Sequence, residues 1–368
     1  MIKTCKLISK IPGYYLFRTI NYPRLLPNNM VFVTTYKCNS KCKACNIWRA
    51  YIKNPDEENK ELTLEEYKKI FRTIGSSYWA TVGGGEPFLR EDIDKIIISL
   101  YEIARPKIIN IPSNGSLPDI TYSKIKNILK NCEDLKLILN LSLDHIGVKN
   151  DNIRGLNGSF ELFKDTINKL KKIKNNNFTL GIHTVVSKYN YKEFEQIYDY
   201  IKKFFNPDSY IIENAQIRRE FMNNGAYISP DKKDLLRTLN FFISRLKRDR
   251  YKKLGRLVKA FRLNYYSSIK QFIQTGQMPY KCYAGFSSCQ INPYGDVWVC
   301  AIKNYLMGNL RQKNYNFRKL WISQKAEAVR EKMKSANCSC TLANTSYTNM
   351  LMDTKMKFKI LWNLIFNM

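Results

Sequence analysis

From Met30 onward, short runs rich in β-branched and aromatic residues alternate with stretches whose apolar residues recur at i, i+3 and i+4. That alternation constrains the fold more than any other feature, because repeated strand–helix units build a parallel sheet. Strands are expected at 31–36, 79–82, 107–111, 137–143, 178–186 and 209–214, and helices at 64–74, 93–103, 122–129, 160–173 and 191–205. Thr63 and Glu66 stand at capping-box spacing before the first of these helices. Six such units do not complete an eight-stranded closure, so the expected fold class is α/β, a partial (β/α)6 TIM-like barrel. Parallel barrels place their chemistry at the carboxyl ends of the strands.

With 368 residues the chain exceeds one typical domain. The pattern divides it into an N-terminal extension (1–29), the barrel core (30–216), a basic helical region (217–277), a cysteine-bearing domain (278–345) and an amphipathic tail (346–368). Tyr294-Gly295-Asp296 is a turn signal between two short β runs, which makes a hairpin. No apolar run is long enough to span a membrane, and the opening residues lack a signal-peptide pattern, so a cytoplasmic location is expected.

The formal charge of +30 admits three readings: nucleic acid, an anionic membrane surface, or solvated lysine. The basic run at 244–259 suits a solvated helix face as well as a phosphate contact. The tail at 355–368 is apolar with lysines at its head, and is read as a docking helix or a membrane-surface helix. Tyr14, Tyr15 and Phe17 join it in suggesting contact with an anionic lipid or a lipid-linked substrate, and with that a protein peripheral to a membrane.

Most of the ten cysteines fall in two groups, as metal ligands do, rather than scattered like disulfide partners. Cys38, Cys42 and Cys45 form a Cys-x3-Cys-x2-Cys loop directly after the first strand. Three thiolates can hold a four-iron cubane while leaving one iron without a protein ligand. A structural zinc site wants a fourth nearby Cys or His, and the two histidines, His145 and His183, are distant in sequence and read as structural. Cys282, Cys289, Cys300, Cys338 and Cys340 form the second group, for which an iron–sulfur cluster and a zinc ribbon are both open. Cys5 and Cys132 read as small buried hydrophobes.

The first group resembles that of the radical S-adenosylmethionine (SAM) superfamily, and the likeness extends along the strand ends. Gly83-Gly84-Gly85-Glu86-Pro87 after the second strand resembles the family's glycine-rich motif that meets the methionyl amino group of SAM. Ser113-Asn114-Gly115 ends the third strand as the family's small polar turn does. Ser142 and Asp144 end the fourth, and Arg154 follows in a layout like the serine and arginine that hold the SAM carboxylate. Ala44 stands where the family usually has an aromatic residue, and Ile47 or Trp48 are the substitutes for its adenine contact. The second group resembles the SPASM and twitch class of auxiliary domains. That implies one further 4Fe–4S cluster held by Cys282, Cys289, Cys300 and one of Cys338 or Cys340, with Gly308, Trp321 and Arg330 weaker echoes.

The resemblance implies reductive cleavage of SAM at a 4Fe–4S cluster and hydrogen abstraction by a 5′-deoxyadenosyl radical. The substrate is a peptide or protein, lipid, sugar or other small molecule, and the electron comes from a reductant such as ferredoxin or flavodoxin. No further catalytic residue is assigned. Two rivals stand beside this reading: an RNA-modifying or nucleic-acid-binding protein, prompted by the charge but without a recognition motif, and a non-catalytic iron–sulfur or zinc scaffold.

Overall fold

A computed structural model describes residues 2–249, 254–336 and 340–366. After helix α1 (Ile2–Ile20) come strands β1 (Asn29–Thr35), β2 (Trp79–Gly84), β3 (Ile108–Ser113), β4 (Lys136–Ser142), β5 (Phe178–Val186) and β6 (Ser209–Asn214). They pair in parallel in sequence order, and β6 does not return to β1, so the barrel is partial. Helices α2 (Leu64–Phe71), α3 (Ile93–Ala104), α4 (Pro118–Asn131), α5 (Val148–Arg154), α6 (Ser159–Leu170) and α7 (Phe194–Tyr200) connect them. The expected helix at 191–205 is in fact a 3-10 turn, α7 and a π turn over Ile201–Phe205. The wider last turn keeps Ile201 and Phe205 on the buried side, with Phe205 edge-on to Phe163 at 5.3 Å.

Period-two alternation sorts the two faces of the sheet. Val82, Ile109, Ile111, Leu137, Leu139 and Leu141 are fully buried in the core, each contributing about 2 kcal/mol. Asn110 and Asn140, which alternate with them, are polar: Asn140 Nδ2 donates to Asn110 Oδ1 at 2.6 Å across the inner face.

Strand β7 (Ser288–Ile291) pairs in parallel with the outer edge of β1, and β8 (Asp296–Trp298) and β9 (Leu306–Asn309) follow antiparallel. The expected hairpin therefore continues the barrel sheet. Arg330 holds this region to the chain's start. It is buried, donates to the carbonyls of Gly285 (2.7 Å) and Trp321 (2.6 Å), and its guanidinium lies 4.9 Å from the Phe17 ring centre and 4.4 Å from that of Trp321. Tyr14 and Phe17 are fully buried, Tyr14 donating to Leu26 O at 2.6 Å. This corrects their reading as a lipid surface: the helical period turns both inward and leaves only Tyr15 of the three exposed.

In the basic region, Phe242 of α8 (Lys232–Arg248) packs between Tyr210 of β6 and Tyr266 of α9 (Leu254–Thr275). Lys259, inside the basic run, is buried and caps the end of α8 by donating to the carbonyls of Lys247 and Asp249, each at 2.9 Å. After α10 (Phe317–Trp321) and α11 (Gln324–Ser335), α12 (Ala343–Met352) lies across the inner face of the sheet. Asn29 donates to Asn344 O and Thr348, and Ala343 N donates to Glu213. The last helix, α13 (Thr354–Phe366), packs on α9 through Met356 and Ile360. No helix among the described residues is long and apolar enough to cross a membrane.

Candidate active site

The three clustered cysteines follow β1 on a loop fastened from three directions. From β3, Asn114 Nδ2 donates to Asn39 Oδ1 (2.8 Å) and Ser40 Oγ (3.0 Å), gripping the stretch between Cys38 and Cys42. From the end of α5, Gly155 and Ile153 carbonyls accept from Lys41 N (3.4 Å) and Lys43 N (3.0 Å). From the segment after β6, Asn223 Nδ2 donates to Ala44 O at 2.8 Å, and Phe221 O accepts from Asn46 N at 2.8 Å. A loop so held presents its thiols with little freedom left to lose on binding a ligand.

The glycine run after β2 is required by this docking. Gly85 N donates to Thr35 O and Glu86 N to Lys37 O, both at 2.8 Å. A Cβ at Gly84 (φ 141°) would stand 2.1 Å from Thr35 O, and one at Gly85 2.1 Å from Lys37 O. We expect Gly85→Ala to push the cysteine loop off β2 and cost about 3 kcal/mol, read as a lowered unfolding midpoint in urea. Glu86 is the joint between strand ends. Its buried carboxyl accepts from Phe88 N (3.2 Å), Ser113 Oγ (3.0 Å) and Asn114 N (2.7 Å), while burial pushes it up to about 7.

Arg154 reaches the thiols from α5. Its Nη1 donates to Asp144 Oδ2 at 3.0 Å, and Asp144 Oδ1 is fixed by Val185 N at 2.9 Å. Burial disfavours the guanidinium's charge, and Cys42, Asp144 and Cys38 around it outweigh that penalty. Burial likewise pushes the Cys38 and Cys45 thiols up to about 12 and raises Cys42, with Arg154 pulling all three the other way. Protons are held tightly there until a metal replaces them.

The hairpin closes the site from the side. Tyr294 lies edge-on to Tyr36 at 5.8 Å and packs in one apolar cluster with Val33, Ile47, Cys38 and Cys45. Tyr51 donates to Glu61, which also accepts from Tyr36 N at 3.0 Å. Ile47 is thus part of the packing behind the loop, while Trp48 is stacked between Lys41 and Arg49.

The second cysteine group is divided. Cys282 and Cys300 pack in one cluster with Ala284, Val299 and Met333, and Cys300 Sγ accepts from Lys303 N at 3.4 Å. Burial raises the pKa of Tyr280, and Cys340 and Cys282 both lie close enough to add to that rise. Cys289 is paired with Met30 in the sheet and is buried in the main core, in a different cluster. Cys338 lies outside the described residues. No three His, Cys, Asp or Glu side chains among the described residues converge closely enough to hold a single metal ion.

The radical SAM superfamily profile matches residues 32–201, and the SPASM iron–sulfur cluster-binding domain profile matches residues 282–341. Residues 32–201 belong to the radical SAM superfamily. Fe-coproporphyrin III synthase of Methanosarcina barkeri is 27% identical over 177 residues, covering 47% of this chain and 41% of that protein. The subtilosin biosynthesis protein AlbA of Bacillus subtilis is 22% identical over 326 residues, 81% of this chain and 62% of its own. The chain thus spans less than two thirds of either relative. Among solved structures, Streptococcus suis SuiB bound to SAM superposes with a TM-score of 0.58 at 18% identity, over 87% of this chain and 71% of that one. anSMEcpe bound to AdoMet and a peptide superposes with a TM-score of 0.59 at 16% identity, over 92% and 98%.

Within this radical SAM fold the strand-end residues Gly83 to Pro87, Ser113, Asn114, Ser142, Asp144 and Arg154 all gather on the cysteine-loop side of the sheet, but their bonds are largely with one another. Glu86 and Asp144 position neighbours: one braces Ser113 and Asn114, the other aims Arg154. Asn39, Asn223, Glu61 and Tyr294 support the loop without having been singled out as functional by sequence, since each is an ordinary loop or turn residue until its partner arrives. His145 is satisfied structurally, with Nε2 2.8 Å from Glu193 and Nδ1 accepting from Ile146 N at 2.8 Å. His183 differs. It sits beside Ser142 in the sheet, and its Nε2, 3.5 Å from Glu213, has no hydrogen-bond partner among the described residues.

Proposed function

We propose that this chain is a SAM-cleaving enzyme that takes a hydrogen atom from a peptide substrate. The observation that carries the reading is the thrice-fastened loop presenting Cys38, Cys42 and Cys45 beside Arg154. The donor set fits a 4Fe–4S cluster. Three soft thiols without a nearby histidine leave one iron for a small chelating ligand, and Arg154 offsets the thiolate charge. Bound there, cluster and SAM supply a carbon-centred radical able to take a hydrogen atom from substrate. The chain's own residues do the rest. Arg154, aimed by Asp144, and Ser142 offer donors to the SAM carboxylate. The strand-end turn from Gly83 to Pro87 lines the adjoining wall. Tyr36, Tyr51 and Tyr294 limit water at the loop.

The substrate faces the polar inner wall, where His183, Glu213 and Arg218 meet: Arg218 Nη2 is 3.7 Å from Glu213, and burial keeps His183 toward its neutral form. A peptide is favoured because SuiB is described with a precursor peptide and anSMEcpe with peptides in complexes of the same fold. A second cluster would be held by Cys282 and Cys300, which pack together, with Cys340 near Tyr280 beside Cys282 and with Cys338, which lies outside the described residues; Cys289 is left as a core thiol. A low-potential reductant such as ferredoxin or flavodoxin supplies the electron, in a reducing, cytoplasmic setting. The test is anaerobic reconstitution with iron, sulfide, SAM and dithionite. The reading expects 5′-deoxyadenosine, with deuterium entering it from a labelled peptide substrate. Iron uptake without 5′-deoxyadenosine returns the chain to the scaffold reading.

A further inference from the structure

Helix α13 has two apolar sides, and only one of them is used. Met356 and Ile360 are buried against α9, where Ser268 Oγ lies 3.9 Å from Met356 Sδ. On the opposite side Phe358 (69% exposed), Leu361 (50%), Trp362 (62%), Ile365 (58%) and Phe366 (62%) face solvent. At about 100° per residue these five share one arc centred on Phe358, and the buried pair lies across the helix from it. Lys357 and Lys359 fall on the two flanks of that arc and Lys355 at its N-terminal end, all exposed. The helix carries no acidic residue.

We propose that this face of α13 lies on an anionic phospholipid bilayer. An apolar arc bordered by lysines is the arrangement in which rings and aliphatic side chains enter the acyl boundary while ammonium groups remain at headgroup level. Trp362, its ring 4.2 Å from that of Phe366, is the residue type that favours this boundary. Charge complementarity selects this occupant: the chain carries a formal charge of +30, and each lysine held near an anionic surface strengthens binding about fivefold. A second copy of the chain would set the lysines of one α13 against those of the other. The docked opposite side means that the helix need not leave the protein to bind, so the surface is preorganised. It would hold the enzyme peripheral to the membrane without any spanning segment.

The experiment is sedimentation of the full chain with phosphatidylglycerol–phosphatidylcholine vesicles, beside phosphatidylcholine alone. Phe358→Glu/Trp362→Glu is the test variant; both side chains are exposed, so the fold survives, and circular dichroism together with iron uptake checks this. Expected are pelleting with anionic vesicles at low salt, at least tenfold weaker binding at high salt and in the variant, and a blue shift of fluorescence on vesicle addition that Trp362→Phe removes. No pelleting at low salt, equal pelleting with neutral vesicles, or unchanged pelleting of the variant overturns the proposal. So does a dimer in solution that the variant converts to monomer, because the face would then be covered by a second copy. The iron and 5′-deoxyadenosine readouts are independent of all these outcomes.

Discussion

Replacing Cys38, Cys42 and Cys45 together by alanine is expected to abolish 5′-deoxyadenosine formation and lower the iron of reconstituted protein from roughly eight atoms per chain to roughly four. The side chains are partly exposed, and the loop is held by Asn114, Asn223 and the backbone of Ile153 and Gly155 rather than by its thiols. The variant should therefore keep its circular dichroism spectrum and unfolding midpoint within about 1 kcal/mol of the parent. Iron determination and electron paramagnetic resonance of the reduced protein check both halves. If the triple variant took up as much iron as the parent, the first cluster would have to sit elsewhere.

The second large effect separates the remaining thiols. Cys300→Ala is expected to remove the auxiliary cluster, leaving roughly four iron atoms per chain, while Cys289→Ala keeps roughly eight. Cys300 shares its apolar surroundings with Cys282 and accepts a backbone N–H, as ligating sulfurs do, whereas Cys289 faces the main core from β7, which is paired on both sides by β1 and β8. The Cys289 variant should show its loss as stability, about 1 kcal/mol for a small cavity, in denaturant unfolding of the apo chain. Loss of four irons from that variant instead would restore the ligand set of Cys282, Cys289 and Cys300 expected from sequence. Metal analysis of the parent distinguishes iron from zinc directly.

The connection between the two cysteine regions makes these effects informative together. The hairpin carrying Cys289 and Cys300 is built onto β1, the strand that delivers Cys38, and its turn residue Tyr294 packs against the first loop. Damage to one cluster region is therefore transmitted through the β1–β7 pairing, so stability must be measured beside iron content in every variant.

What the sequence determined by itself was whatever rests on short-range pattern. The strands at 178–186 and 209–214 are found as expected, and the other four within about two residues at each end, because alternation and helical period are written into neighbouring positions. The Thr63–Glu66 capping box forms as read, since its two hydrogen bonds lie within one turn. Cys38, Cys42 and Cys45 share a loop for the same reason. Tertiary structure alone decided what depends on register between distant segments: that Gly84 and Gly85 face the backbone of Thr35 and Lys37, that Asn114 reaches Asn39, that Cys289 and Cys300 of one hairpin turn to different surroundings, and that α12 enters the inner face. Tyr14, Phe17 and Trp362 have similar side chains, yet two are buried and one is exposed. Composition cannot separate them, because burial is settled by which surface each helix finds to pack against.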